Sequence, residues 1–437
     1  MTATTMALSR NARAAGSIVK PLAVSARLSL AAAVRTRRLG EKAYAGADIT
    51  DYDPLDPITA AEPHEAYRKL HAGGRVHYSP KRSTWILARH ADVRAALTDT
   101  DKINSTQGVT RMKFSMPTLV MTDGEQHAQL RKKVQPAFTK RALDSWTPMI
   151  DGLARDLVAD VLANPGCDVV QRLAIPMPIR MIAHILGVPE RDVDQFRRWS
   201  EAAIRILDFA PTLPAMSRSV KAAGAVMALR RYFMDQFAAG QLKGGDTVIG
   251  RLVDSNADGA MTDDDLFFFA LLLLIAGNET TTNLLGGLVD TLARFPEQYD
   301  LIRESPDLIP LAIEEQLRFS TPIQNLYRYT VADYPVGDVT IPAGSRVMLS
   351  FGAANRDPLV YDSPDDYRAD RNPRMHVAFG YGAHMCLGAP LARLEAQAVL
   401  RELVENVSRI SIEGTTTWST NSSLRGPTHL PARLIPA

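Results

Sequence analysis

Cys386 is one of two cysteines in a chain of 437 residues, and it stands in residues 379–388, FGYGAHMCLG. Gly380, Gly382 and Gly388 crowd around it, and the following APLARLEAQAVL reads as a helix over 389–401. Glycine permits a left-handed backbone and close approach of neighbouring chain. A loop of this kind can turn backbone N–H groups towards a sulfur, while a helix N-terminus favours its negative charge. The stretch therefore suits a thiolate metal ligand. The plainer alternative is an inert cysteine in a tight turn, the usual fate of a lone thiol.

Three further constellations could carry chemistry. Residues 276–281, AGNETT, put an acid, Glu279, beside an alcohol, Thr280, which suits proton delivery. They follow Ala276 and Gly277 in a helical run, where a glycine costs roughly 1 kcal/mol relative to alanine. The alternative is that Gly277 permits close helix packing and Thr280 bonds its own helix backbone. His127 and Arg131 lie four apart in residues 123–138, on one helical face. Two cationic donors so placed suit carboxylates, although a solvated charged face has the same pattern. Glu315 and Arg318, in IEEQLR, meet at i,i+3, a spacing that most often marks an exposed pair contributing a few tenths of a kcal/mol.

The cysteine stretch resembles the haem-binding signature of the cytochrome P450 superfamily, Phe-Gly-x-Gly-x-His-x-Cys-x-Gly. Phe379, Gly380, Gly382, His384, Cys386 and Gly388 fill every fixed position. AGNETT resembles the family's oxygen-activation motif, and Glu315 with Arg318 its E-x-x-R pair, in the family's order. The resemblance covers about 390 residues and is closest to soluble bacterial members. It implies haem b held through Cys386, whose sulfur pushes electron density onto the iron. It further implies that Ala276, Gly277, Phe379 and Gly388 contact the haem, Gly277 giving dioxygen room. His127, Arg131, Arg328 and His384 become candidate propionate partners, His384 having the alternative of a surface loop histidine. Glu279 and Thr280 would route protons. Glu315 and Arg318 become a buried structural pair extended by Arg371, and Ala276, Ile323 and Leu326 would line the substrate pocket.

The implied activity is a monooxygenase placing one oxygen atom of O2 into a hydrophobic small molecule, by hydroxylation or epoxidation. A ferredoxin and its reductase would supply electrons from NAD(P)H. A peroxide-driven peroxygenase and a non-catalytic ligand sensor are the alternatives, and retention of Glu279 and Thr280 argues against both.

The elements that must position these residues read as mainly α, a large helical domain with a small β-rich region. Residues 262–265, TDDD, can cap a helix whose apolar stretch runs through LFFFALLLLIAG. That run is short for a membrane span and reads as buried. Residues 90–98 read as a helix, 75–87 as a hairpin, and 101–118 as an irregular binding loop. Residues 145–255 read as helices broken at Pro165, Pro176, Pro178, Pro189 and Pro211, with a lid loop over 208–214. The segment 320–358 changes to short strands bounded by proline and glycine.

Composition agrees: 46% hydrophobic and 22% charged residues fit a soluble globular protein with a substantial core. Two cysteines give no disulfide framework. The net charge of +2 hides an asymmetry, because residues 1–40 hold seven basic residues and no acid. The remainder has 43 basic against 48 acidic residues, so the overall balance gives no argument for nucleic-acid binding. We divide the chain into a basic arm, 1–45, and a catalytic domain, 46–437. No secretory signal is visible. The expected location is cytoplasmic; peripheral membrane contact or organellar targeting through residues 22–39 of the arm is the alternative.

Overall fold

A computed structural model describes residues 44–111, 118–204, 213–239, 247–255 and 262–437. Nearly all of the basic arm, and residues 208–212 of the expected lid loop, lie outside that description.

The helix Asp263–Arg294 runs for 32 residues through the body. Its start is written locally. Thr262 Oγ1 accepts from the Asp265 amide at 3.2 Å, and Asp265 Oδ2 accepts from the Thr262 amide at 2.9 Å, a reciprocal cap. Three aspartates in the first turn complement the helix dipole. By length and composition alone this helix could cross a membrane. Its residues are nonetheless buried without a break from Thr281 to Leu292, and so on all sides over that stretch. A helix apolar all round is a core helix when other helices surround it. Here Pro176–Leu186, Ile309–Ser320 and Ala389–Asn406 pack against it.

Two of the prolines read as breaks do the opposite. Pro176 opens the helix Pro176–Leu186 and Pro178 lies in its first turn, where a missing N–H leaves no bond unmade.

Among the described residues eight strands precede the cysteine loop: β1 (Asp48–Ile49), β2 (His77–Ser79), β3 (Thr84–Leu87), β4 (Ile103–Asn104), β5 (Asn325–Thr330), β6 (Tyr334–Val336), β7 (Val339–Ile341) and β8 (Arg346–Ser350). Six form one sheet in the order β1-β2-β3-β8-β5-β4. The expected hairpin is β2 with β3, antiparallel, and β3 joins β8 in parallel. The loop expected to be irregular contributes an edge strand, since β4 pairs Ile103 with Thr330 of β5. After the cysteine helix come β9 (Val407–Ile412), β10 (Thr417–Trp418), β11 (Pro427–His429) and β12 (Ala432–Pro436). They pair as β9 with β12 and β10 with β11. One large apolar cluster lies among the helices, and a second, with Trp85, Leu87, Val347 and Leu349, lies against the six-stranded sheet. The architecture is mainly α with a small β-rich region.

Candidate active site

The Cys386 loop is closed by its own backbone. The Gly380 amide donates to Val377 O at 2.8 Å and the Cys386 amide to Phe379 O at 2.9 Å. Gly380 and Gly382 have φ of +71° and +72°, a region that favours glycine. A Cβ at Gly382 would also stand 2.9 Å from Leu97 O. Gly388 differs: its φ is −83° and a Cβ would meet nothing, so no protein atom demands glycine there. It is the N-cap of Ala389–Asn406. The amides of Gly388 and Ala389 donate to the Cys386 sulfur. Burial pushes this thiol above its ordinary pKa; those two amides, then Arg131 and Arg393, act the other way. The residue nevertheless presents an exposed surface. Cys386 is thus desolvated by the protein around it yet open on one side.

Beside the loop stands a group of arginine and histidine side chains. His127 and Arg131 project from the helix Gly124–Val134. Arg131 donates to Ala383 O at 3.1 Å, and the His127 ring lies 4.2 Å from that of His384. Asp123 Oδ1 holds His384 Nε2 at 2.8 Å, while its Oδ2 accepts from the amide and hydroxyl of Ser105, each at 2.8 Å. Arg328 on β5 is buried, and among the described residues its guanidinium has one hydrogen bond, to the carbonyl of its neighbour Tyr327. Burial pushes its pKa down to about 10, with Asp123 opposing. Burial, His384 and Arg131 push His127 down to about 4, and among the described residues its Nε2 has no partner. Buried cationic donors without acceptors are costly unless an anion meets them. The donor set fits the carboxylates of a haem, as the cysteine fits its iron.

The other wall is the middle of the Asp263–Arg294 helix, which stays regular from Ala276 through Thr281. Ala276 is exposed although Leu274 and Asn278 are buried, so the helix opens to a cleft at this turn. Glu279 and Thr280 are half-buried beside it, and Thr280 Oγ1 donates to Ala276 O at 2.6 Å. Gly277 also has a packing reason to be glycine. A Cβ there would lie 2.7 Å from Ile182 Cδ1 on the neighbouring helix.

Glu315 and Arg318 are both fully buried, not the exposed pair their spacing suggests. Arg318 donates Nε to Glu315 Oε2 at 2.7 Å and Nη2 to Oε1 at 2.8 Å. Its remaining donors reach the carbonyls of Asn355, Pro364 and Asp366 at 3.0, 2.8 and 3.1 Å. Arg371 Nε adds a bond to Glu315 Oε1 at 3.0 Å. Ile323 and Leu326 are half-buried against the sheet's apolar cluster.

Sequence reasoning passed over Glu314. It grips Arg393 of the cysteine helix at 2.6 and 2.8 Å, and Arg393 lies over the Phe379 ring at 4.6 Å. The double acid in IEEQLR was the signal, since two adjacent carboxylates on a helix face different neighbours. Asp123, which orients His384, carried no motif signal.

A cysteine accepting two helix-terminal amides, a buried guanidinium and imidazole with unmet donors near it, and an acid–alcohol turn with an exposed face fit a haem-thiolate protein. A family model described as Cytochrome P450 matches residues 230–429. The chain is 44% identical over 409 residues to the beta-dihydromenaquinone-9 omega-hydroxylase of Mycobacterium tuberculosis, covering 94% of this chain and 83% of that one. It is 36% identical over 336 residues to the erythromycin C-12 hydroxylase of Saccharopolyspora erythraea, covering 75% and 83%. Its fold matches CYP109E1 from Bacillus megaterium in complex with testosterone at a TM-score of 0.78 and 30% identity, over 85% of this chain and 99% of that one. The chain belongs to the cytochrome P450 family. It is a bacterial-type haem-thiolate monooxygenase, using haem iron and dioxygen to hydroxylate small molecules with electrons from redox partners.

Proposed function

We propose that the domain spanning 46–437 hydroxylates an apolar small molecule in the cleft between Cys386 and the Ala276–Thr280 turn. Cys386 would hold the haem iron through its sulfur, and Phe379 and Gly388 would contact the haem. His127, Arg131, Arg328 and His384 would hold the propionates, and Ala276, Ile323 and Leu326 the substrate. The haem supplies the oxygen chemistry when bound. The chain's own residues do the rest. The two amides at Gly388 and Ala389 share the charge of the sulfur. Arg328 and His127 gain the acceptors they lack. Thr280 holds an exchangeable proton against Ala276 O, and Glu279 beside it can replenish that proton. Glu315, Arg318 and Arg371 keep the loop carbonyls in place behind the site.

We take a long apolar chain as the substrate class to screen first, because the 44% identical relative is named for omega-hydroxylation of a dihydromenaquinone. A ferredoxin and ferredoxin reductase drawing on NAD(P)H, in the cytoplasm, complete the proposal.

The observation that carries this reading is the desolvated Cys386, open on one side, at a helix N-terminus near a buried guanidinium and imidazole with unmet donors. The test is the carbon monoxide difference spectrum of the reduced protein. The wild type should show the red-shifted Soret band of a thiolate-ligated haem, and Cys386→Ala should lose it. An unchanged spectrum in that variant would remove Cys386 from the iron.

A further inference from the structure

The Asp263–Arg294 helix packs against the helix Val193–Ile204 among apolar side chains, with one buried polar pair between them. Phe196, Leu274 and Ile182 lie in the large apolar cluster. Within this seam Asn278 Nδ2 donates to Ser200 Oγ at 3.2 Å, with Asn278 5% exposed and Ser200 fully buried. Among the described residues Asn278 Oδ1 has no partner at all. A buried unpaired acceptor is destabilising relative to an apolar side chain of the same shape. Stability therefore gives no reason for an asparagine here. Register does: apolar helix surfaces can slip against one another, whereas one buried polar pair selects a single alignment.

Both ends of this bond matter. Asn278 sits between Gly277 and Glu279 and two residues before Thr280. Ser200 lies on the helix that ends at Ile204, directly before the segment 205–212. That helix is tied to the next one, Leu213–Ala238, by ring contacts: Phe196 with Phe233 at 6.4 Å, and Trp199 with Tyr232 at 5.6 Å. Tyr232 also donates to Asp192 Oδ2 at 2.9 Å. A shift of this helix pair would thus be felt through Ser200 at the acid–alcohol turn.

We propose that the Asn278–Ser200 hydrogen bond is a register lock that aligns the Val193–Ile204 helix with the Ala276–Thr280 turn, making Asn278 a positioning residue for proton delivery. The inference rests on the proposed proton role of Glu279 and Thr280.

The test uses full-length haem-loaded Asn278→Leu, Ser200→Ala, their double variant and Thr280→Ala. Both single lock variants should keep the thiolate spectrum, and Asn278→Leu should unfold at an equal or higher temperature. In both, amides of 193–204 should exchange about three- to tenfold faster relative to those of 263–294, the size of one buried hydrogen bond. Product formed per reductant consumed should fall by a similar factor, and the double variant should match the singles. Unchanged exchange over 193–204 in both single variants, or effects that add in the double variant, would overturn the lock. Thr280→Ala leaves both lock groups in place, so it should lower coupling without changing that exchange. Full coupling in Thr280→Ala would defeat the proton role alone, and the exchange result would still decide the lock.

Discussion

The two walls of the cleft are built by opposite means. Behind the cysteine loop, polar groups are buried and paired. Arg318 alone meets Glu315 twice and three backbone carbonyls, and Arg371 and Arg393 fasten neighbouring segments to Glu315 and Glu314. On the other side of the proposed site, the Ala276–Thr280 turn is held by apolar packing, a threonine bonded to its own helix, and a tie from Asn278 to Ser200. The difference has a physical sense. A ligand to iron must stay at one distance and angle, and a network of directional charge-assisted bonds resists displacement. A wall that receives substrate and moves protons must readjust, and apolar surfaces with few directional bonds can.

Breaking the rigid side should have the largest effect. Arg318→Ala leaves Glu315 buried with Arg371 and the Arg368 amide as its partners among the described residues, and takes a donor from the carbonyls of Asn355, Pro364 and Asp366. We expect a loss of about 3–5 kcal/mol in urea unfolding, or failure to accumulate folded protein. A loss below about 1 kcal/mol would mean that the network is not what holds the loop.

Glu395 sharpens the comparison, because it is the exception on the rigid side. It lies on the cysteine helix, 2% exposed, and among the described residues its Oε2 has no partner. Burial pushes its pKa up from 4.5 to about 8. The folded protein then keeps a proton that the unfolded chain releases. The associated stability is fully present below about pH 4.5 and declines as the pH rises to about 8, by up to ~1.4 kcal/mol per unit. Glu395→Gln should flatten this slope and be the more stable protein at pH 8. Parallel stability–pH curves for the two proteins would show that Glu395 is ionised in the fold.

The smallest expected effect is on the adaptable side. Gly277→Ala drives a methyl group against the end of the Ile182 side chain; overpacking of about 1–3 kcal/mol, less the roughly 1 kcal/mol alanine gains in a helix, should leave a net loss of up to about 2 kcal/mol. Ile182→Ala in the same protein should recover part of it. If the double variant is no more stable than Gly277→Ala, the contact with Ile182 is not the reason for glycine, and room in the cleft becomes the better account.

Much of this was legible in the chain because the signals are local. Thr262 and Asp265 cap each other three residues apart, residues 90–98 form the expected helix, and glycines flank Cys386 where the loop turns left-handed. Pro176 and Pro178 misled because a proline that ends one helix and a proline that opens another look alike in isolation. The strand at Ile103 was missed because two residues become a strand only beside a partner over 200 positions away.

The sequence by itself determined the residue types at the site, their order and the caps of their helices, since these depend on neighbours within one or two turns. Tertiary structure decided what each group meets. Glu315 with Arg318 has the spacing of a surface pair, and it is the carbonyls of Asn355, Pro364 and Asp366 folding over it that make it a buried one. Gly277 meets Ile182, Asn278 meets Ser200, and Arg328 stands buried near Asp123 for the same reason: desolvation and long-range contact are properties of the packed body, and no window of sequence contains them.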